Sequence, residues 1–231
     1  MLEAHVVKRR RDLTIDVSLR VGSGESLALI GPSGAGKSTV LNCIAGFDQP
    51  DSGSIVVDGE TFSSPNLPLG RRNIGYLAQS ADLFPHMSVR DNVAFGLRRG
   101  TIEAAAWVSE LRDKLELTRI WRAPAAKISG GQARRVALAR MLARRPRLVL
   151  LDEPFAGADR DVVRALVAML AYWQMSIGFS IVIVDHDLDV LTRVTQRAIA
   201  IEHGMVVQSG TWSEIRATPA TATLESLLAP L

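Results

Sequence analysis

Cysteine is almost missing from this chain: Cys43 is the one thiol in 231 residues. That excludes an internal disulfide framework and fits a reducing compartment. Its setting among Val40, Leu41 and Ile44 makes it a small core residue before a nucleophile. An excess of one charge is missing as well. A formal net charge of +3 is too small to imply a nucleic-acid binder by itself, so no nucleic-acid partner is expected. The arginines do bunch, at Arg9, Arg10 and Arg11 and again at Arg134, Arg135, Arg144 and Arg145, and such bunches most often form a solvated face. No cationic segment followed by a long apolar stretch opens the chain, so no secretory signal is expected and the protein should stay in the cytoplasm. Repeats and low-complexity linkers are also lacking. The stretch from Ala165 to Val184 carries no charge and is long enough for a bilayer, but its composition is split. An amphipathic helix continuing from Asp161 reaches Trp173, Gln174, Ser176 and Gly178 interrupt it, and Ile181 to Val184 is β-branched like a buried parallel strand.

What is present argues for a globular fold, with 47% apolar and 22% charged residues to fill one large core or a core and a small lobe. Short apolar runs alternate with helical patterns, which predicts an α/β core with a mostly parallel sheet. Its buried strands are expected at Leu27 to Ile30, Arg147 to Leu151, Ser180 to Val184 and Ala198 to Glu202. Leu2 to Lys8, Leu13 to Val21 and Ser54 to Asp58 alternate and end in turns such as Asp58-Gly59, so they are expected to pair antiparallel. Strand signal fades between Phe84 and Arg145, where Ile102 to Leu117 and Gln132 to Arg145 read as helices. The expected organisation is a single domain over 1–231, with an α/β core and antiparallel β subdomain (1–83 and 146–231) and an inserted helical lobe (84–145).

Chemistry enters at Gly31, Pro32, Ser33, Gly34, Ala35, Gly36, Lys37, Ser38 and Thr39, a phosphate-loop pattern set between a strand and an apolar helix. Gly34 and Gly36 let the backbone curl its N–H groups toward a phosphate, Lys37 adds a charge near the terminal phosphates, and Ser38 can ligate Mg²⁺. The strand at Arg147 to Leu151 then ends in Asp152 and Glu153, at the edge where open α/β sheets bind ligands. Asp152 serves the metal, and Glu153 is the candidate to polarise an attacking water. Ser129-Gly130-Gly131-Gln132 reads first as a capping box. Its two glycines also leave N–H groups open to an anion, and a second phosphate cradle makes sense if it faces another subunit's nucleotide.

Together with Gln79, Asp159 and His186, these segments in this order resemble the ABC ATPases over essentially the whole chain. The resemblance implies a P-loop NTPase core that binds ATP and Mg²⁺ and hydrolyses the nucleotide. It implies that Ser129 to Gln132 act across a dimer of two copies, that Gln79 senses the metal and the membrane partner, that Asp159 makes an intersubunit contact, and that His186 holds the γ-phosphate. The implied partners are transmembrane permease subunits and, indirectly, a solute-binding protein, at the cytoplasmic face of the inner membrane. Three positions depart from the family. Val7 to Leu13 lacks the aromatic ring usually offered to adenine, Ile128 stands where leucine is usual, and Phe155 to Asp159 lacks an early serine. Leu41 to Phe47, Leu83 to His86 and Asp152 to Phe155 look like importer ATPases for small solutes, of the molybdate-type oxyanion and thiamine kinds. The end at Leu231 leaves no room for a regulatory β-domain and tilts the reading toward thiamine. Leu83 and Phe84 are expected to line the cleft that receives a permease helix. Soluble ABC ATPases of DNA repair or translation are the alternative, but they carry a coiled-coil insertion or two linked units. A non-hydrolysing regulatory module is disfavoured by Glu153 and His186.

Overall fold

The computed structural model describes residues 1–62, 72–78, 80–95, 97 and 102–229. Among these residues ten strands form one sheet: β1 (Leu2–Arg10), β2 (Leu13–Val21), β3 (Ser26–Ile30), β4 (Ser52–Val57), β5 (Glu60–Thr61), β6 (Ile74–Leu77), β7 (Leu148–Asp152), β8 (Ser180–Val184), β9 (Arg197–Glu202) and β10 (Met205–Thr211). Their order across it is β5-β4-β1-β2-β10-β9-β3-β8-β7-β6. From β9 to β6 neighbours run parallel, while β5, β4, β1 and β2 pair antiparallel. The antiparallel strands therefore continue the parallel sheet instead of forming a sheet of their own. Asp58 and Gly59, both at positive φ, make the expected tight turn between β4 and β5.

The central strands read as unbroken apolar runs because both of their faces are buried. Leu29, Leu150 and Val182 face one core, shared with Val40 and Ile44 of α1 (Lys37–Ala45). Their neighbours Ala28, Val149 and Ile183 face the other, as alternation along a strand requires. That second core takes residues from α2 (Val89–Ala94), α3 (Ile102–Lys114), α4 (Gly130–Ala143) and α5 (Arg160–Ile177), including Val93, Leu111, Val136 and Leu170. The helices between residues 84 and 145 thus share a core with α5 and the sheet. Trp107 of α3 meets Trp173 of α5 edge to face, centroids 4.9 Å apart, and its indole N–H donates to Leu142 O of α4. The short helices α6 (Leu188–Val194), α7 (Trp212–Ala217) and α8 (Ala222–Leu228) complete the chain's C-terminal part.

Several element boundaries differ from the sequence expectations. Gln174 and Ser176 do not interrupt α5, which runs on to Ile177 and ends at Gly178 with φ 83°. Gln174 stays helical and its side chain reaches Gly24 O (3.0 Å) and Ser26 Oγ (2.8 Å), tying the helix to the start of β3. The third helix stops at Lys114, short of Leu117, because Glu116 turns to φ 57° and Leu117 N–H closes back on Arg112 O. The fourth begins two residues early, at Gly130, and ends at Ala143. Among the described residues no helix is long and apolar enough to cross a membrane.

Candidate active site

The phosphate loop leaves the buried end of β3 and enters α1 at Gly36, whose φ of 103° suits glycine alone. A Cβ there would stand 2.8 Å from Ile15 of β2, and one at Gly31 would lie 2.0 Å from Ile201 O, so both glycines permit close passage of the loop. Lys37 is 8% exposed, and its ammonium donates to the carbonyls of Gly31 (2.7 Å) and Pro32 (2.8 Å). Burial lowers its pKa, opposed by the charges of Glu153 and Asp152.

Parallel pairing of β7 with β8 and of β8 with β3 brings the strand ends together. Asp152 Oδ1 accepts a hydrogen bond from Ser38 Oγ at 2.9 Å, and its Oδ2 accepts from the Tyr76 hydroxyl at 3.1 Å. Serine hydroxyl and carboxylate are hard oxygen donors, the set that suits Mg²⁺ bound mainly through phosphates and water. Among the described residues there is no cluster of three His, Cys, Asp or Glu fit to hold a metal. Glu153 follows at φ 49°, a left-handed conformation that costs a non-glycine residue energy and that functional sites often store. Its N–H is held by Val184 O at 2.8 Å, and its Oε1 lies 2.7 Å from His186 Nε2. That contact makes Nε2 the donor nitrogen, so an acceptor and a donor stand side by side. Asp185, next to His186 in the sequence, is pushed to a higher pKa by burial, partly offset by hydrogen bonds from the Asp187 and His186 backbone.

These groups open on one cleft of about 890 Å³, lined by Ser33 to Thr39 apart from Ala35, by Glu153 and His186, and by Arg9, Arg10, Arg11, Asp12, Leu13 and Ile15. Arg10 is committed to an ion pair with Asp48, while exposed Arg11 has no hydrogen bond or ion pair among the described residues.

The Ser129 segment sits elsewhere. The capping box is real: Ser129 Oγ accepts from Gln132 N (3.3 Å) and Gln132 Oε1 accepts from Ser129 N (3.0 Å). Gly130 and Gly131 have open space where a Cβ would stand, and with Gly157 and Asp159 they line a second cleft of about 340 Å³. Among the described residues the two clefts share none. The sequence-read site is thereby divided into Gly31 to Thr39, Asp152, Glu153 and His186 in one place, and Ser129 to Gln132 with Asp159 in another. Gln79 lies outside the described residues.

The model of the family described as ABC transporter matches residues 15–156, which span the phosphate loop, the Ser129 segment and Glu153. This chain belongs to the ABC transporter family. The sulfate/thiosulfate import ATP-binding protein CysA of Synechococcus elongatus is 41% identical over 219 residues, 94% of this chain and 63% of that protein. The spermidine/putrescine import ATP-binding protein PotA of Nitrosomonas eutropha is 40% identical, over 94% of this chain and 60% of its own length. The chain thus spans a little under two thirds of these curated relatives. The dimeric ATP-binding cassette MJ0796, in a post-hydrolysis state bound to ADP and Pi, superposes with a TM-score of 0.79 at 29% identity, covering 91% of this chain and 98% of that one. A nucleotide-free ABC transporter cassette shares the fold at TM-score 0.83 and 22% identity, covering 100% of this chain and 99% of that one.

Within this ABC fold, sequence reading missed the contacts of Arg134, Arg135, Tyr76 and Asn42. Arg134, one turn into α4, is no solvated arginine: it donates to Pro154 O and Ala156 O, bracing the loop that follows Glu153. Arg135 likewise pairs with Glu116. Tyr76 and Asn42 escaped notice because β6 was not read as a strand; with it placed beside β7, Tyr76 comes level with Leu150 and within reach of Asp152.

Proposed function

We propose that this chain is the ATP-binding and ATP-hydrolysing subunit of a bacterial ABC importer. The observation that carries the reading is the pairing of Glu153 with His186 at the rim of a complete phosphate cradle, while a second anion-ready helix start faces another cleft. In this reading Lys37 and the loop N–H groups of Gly31 to Thr39 bind the ATP phosphates, and Ser38 and Asp152, with Gln79, hold Mg²⁺. When bound, the ion would neutralise negative charge on the phosphates. On nucleotide binding His186 turns its Nε2 hydrogen from Glu153 to the γ-phosphate, which frees Glu153 to take the proton of the attacking water. Ser129, Gly130, Gly131, Gln132 and Asp159 complete the site of a second copy.

Phosphoryl transfer asks for little beyond position and charge. The cargo is not written in these groups. The relatives carry sulfate, a dianion, and polyamines, which are polycations, at nearly equal identity to this chain, so solute choice belongs to the permease and to a solute-binding protein. Sulfate and polyamine relatives match almost equally and so favour neither an oxyanion nor another cargo, and the tilt toward thiamine rested on where the chain ends, which says nothing about cargo. The subunit is placed at the cytoplasmic face of the inner membrane, held there by permease subunits.

The docking surface needs revision. Leu83 packs against the second core, and the accessible aromatic pair is Phe84 with Phe95, centroids 4.4 Å apart, Phe95 being 51% exposed. A Phe84→Ser, Phe95→Ser double variant is expected to fold and bind ATP but to lose co-purification with transmembrane subunits from solubilised membranes. Retained co-purification places docking elsewhere, and a wild-type chain that brings down no membrane protein at all favours the soluble alternative.

Adenine recognition is expected to fall to Arg11, since a guanidinium stacks on a π-system and Arg10 is already occupied by Asp48. Arg11→Ala should weaken ATP and GTP alike by roughly 3- to 30-fold, the scale of one cation–π contact. Equal affinities of wild type and variant for both nucleotides, measured by calorimetry, leave the base held without Arg11.

A further inference from the structure

Tyr76 stands on the edge strand β6 with its hydroxyl 3.1 Å from Asp152 Oδ2 and 3.0 Å from Asn42 Oδ1. One phenolic proton cannot serve two acceptors. With the Asn42 amide turned so that its nitrogen faces the phenol, a chain forms in which Asn42 donates to Tyr76 and Tyr76 donates to Asp152. The carboxylate is then held at both oxygens, by Tyr76 on one side and Ser38 on the other. Because Ser38 gives its proton to Asp152 Oδ1, its lone pairs are left for a cation. Phe47, 60% exposed, lays its ring edge to face on Tyr76 at 4.9 Å and fixes the phenol from the surface side.

We propose that Tyr76 is a positioning residue for the divalent cation: through its hydroxyl it fixes the rotation of Asp152, and thereby aims Ser38, at the metal that accompanies the nucleotide. This rests on the reading of the cleft as an ATP and Mg²⁺ site. Partners that orient a metal ligand typically matter by about 10- to 100-fold in metal affinity.

The test uses the full chain, a non-hydrolysable ATP analogue, and calorimetry across a Mg²⁺ titration. In Tyr76→Phe, which keeps the ring and its contact with Phe47, the Mg²⁺ needed for half-maximal enhancement of analogue binding should rise about 10- to 100-fold. Metal-free binding of the analogue and the thermal midpoint should stay at wild-type values. Asn42→Leu should move the Mg²⁺ requirement in the same direction by less. An unchanged Mg²⁺ requirement in Tyr76→Phe overturns the proposal, and so does equal weakening with and without Mg²⁺, which marks a packing role only. If Lys37→Ala binds the analogue as well as wild type does, the cleft reading itself falls and takes this proposal with it.

Discussion

A Glu153→Gln subunit is expected to bind MgATP about as well as wild type and to hydrolyse it roughly 10²- to 10⁴-fold more slowly, the usual worth of one positioned base. The amide has the shape of the carboxylate and its oxygen can still accept from His186 Nε2, so the 2.7 Å contact and the left-handed turn at residue 153 have no reason to change. Ser38 and Asp152 also remain, which keeps the metal ligands intact. Only basicity is lost. Binding without turnover should trap two copies closed on nucleotide, seen as an ATP-dependent dimer in size-exclusion chromatography that persists while wild type returns to monomer. Single-turnover measurements separate the chemical step from product release. Near-normal turnover in this variant would move the role of base to His186, the neighbouring group that can accept a proton.

The residues that perform this chemistry were legible in the sequence wherever the backbone does the work. Gly31 to Ser38 announce themselves because a phosphate cradle needs glycine at fixed offsets, and Gly31 and Gly36 do fill spaces that would reject a Cβ. The central strands were legible too, since burial on both faces confines polar residues to the strand ends and leaves the run between them apolar. Two other strands lack that protection. Ile74 to Leu77 is four residues long with half of them partly exposed, and Met205 to Thr211 is polar and bulged, so neither carried a pattern to read. What those strands position was lost with them, above all Tyr76 on Asp152. The arginines failed for a different reason. Arg134 looks on paper like any surface charge, and only the turn at Pro154 to Ala156 folding back on α4 gives it two carbonyls to hold. Helix ends shifted where a side chain overruled local preference, as Gln174 does by reaching to Ser26.

Equimolar mixing of Lys37→Ala and Gly131→Asp subunits is expected to restore ATPase activity that neither variant shows alone. The two clefts of one chain share no described lining residue, and on the shared-site model a nucleotide in the Lys37 cradle gains the Gly130 and Gly131 donors from another copy. Each variant is chosen to spoil one cleft and spare the fold. Lys37→Ala removes the ammonium that otherwise caps the loop carbonyls, and Gly131→Asp adds a negative charge at a position with open space for a side chain, where it repels an incoming phosphate. A dimer of either variant alone has both of its composite sites damaged. In the mixed dimer one site carries both lesions and the other carries neither. Random pairing in a two-fold symmetric dimer makes about half the dimers mixed, so recovery should approach about a quarter of wild-type activity if the two sites turn over independently. A recovery far below that, with mixed dimers shown by tagged co-purification, means that one intact site cannot fire without its twin. The shared-site model itself fails on a different observation: wild-type activity strictly linear in protein concentration down to samples that are wholly monomeric, since a site built from two copies must fall with the square of concentration once dimers become scarce.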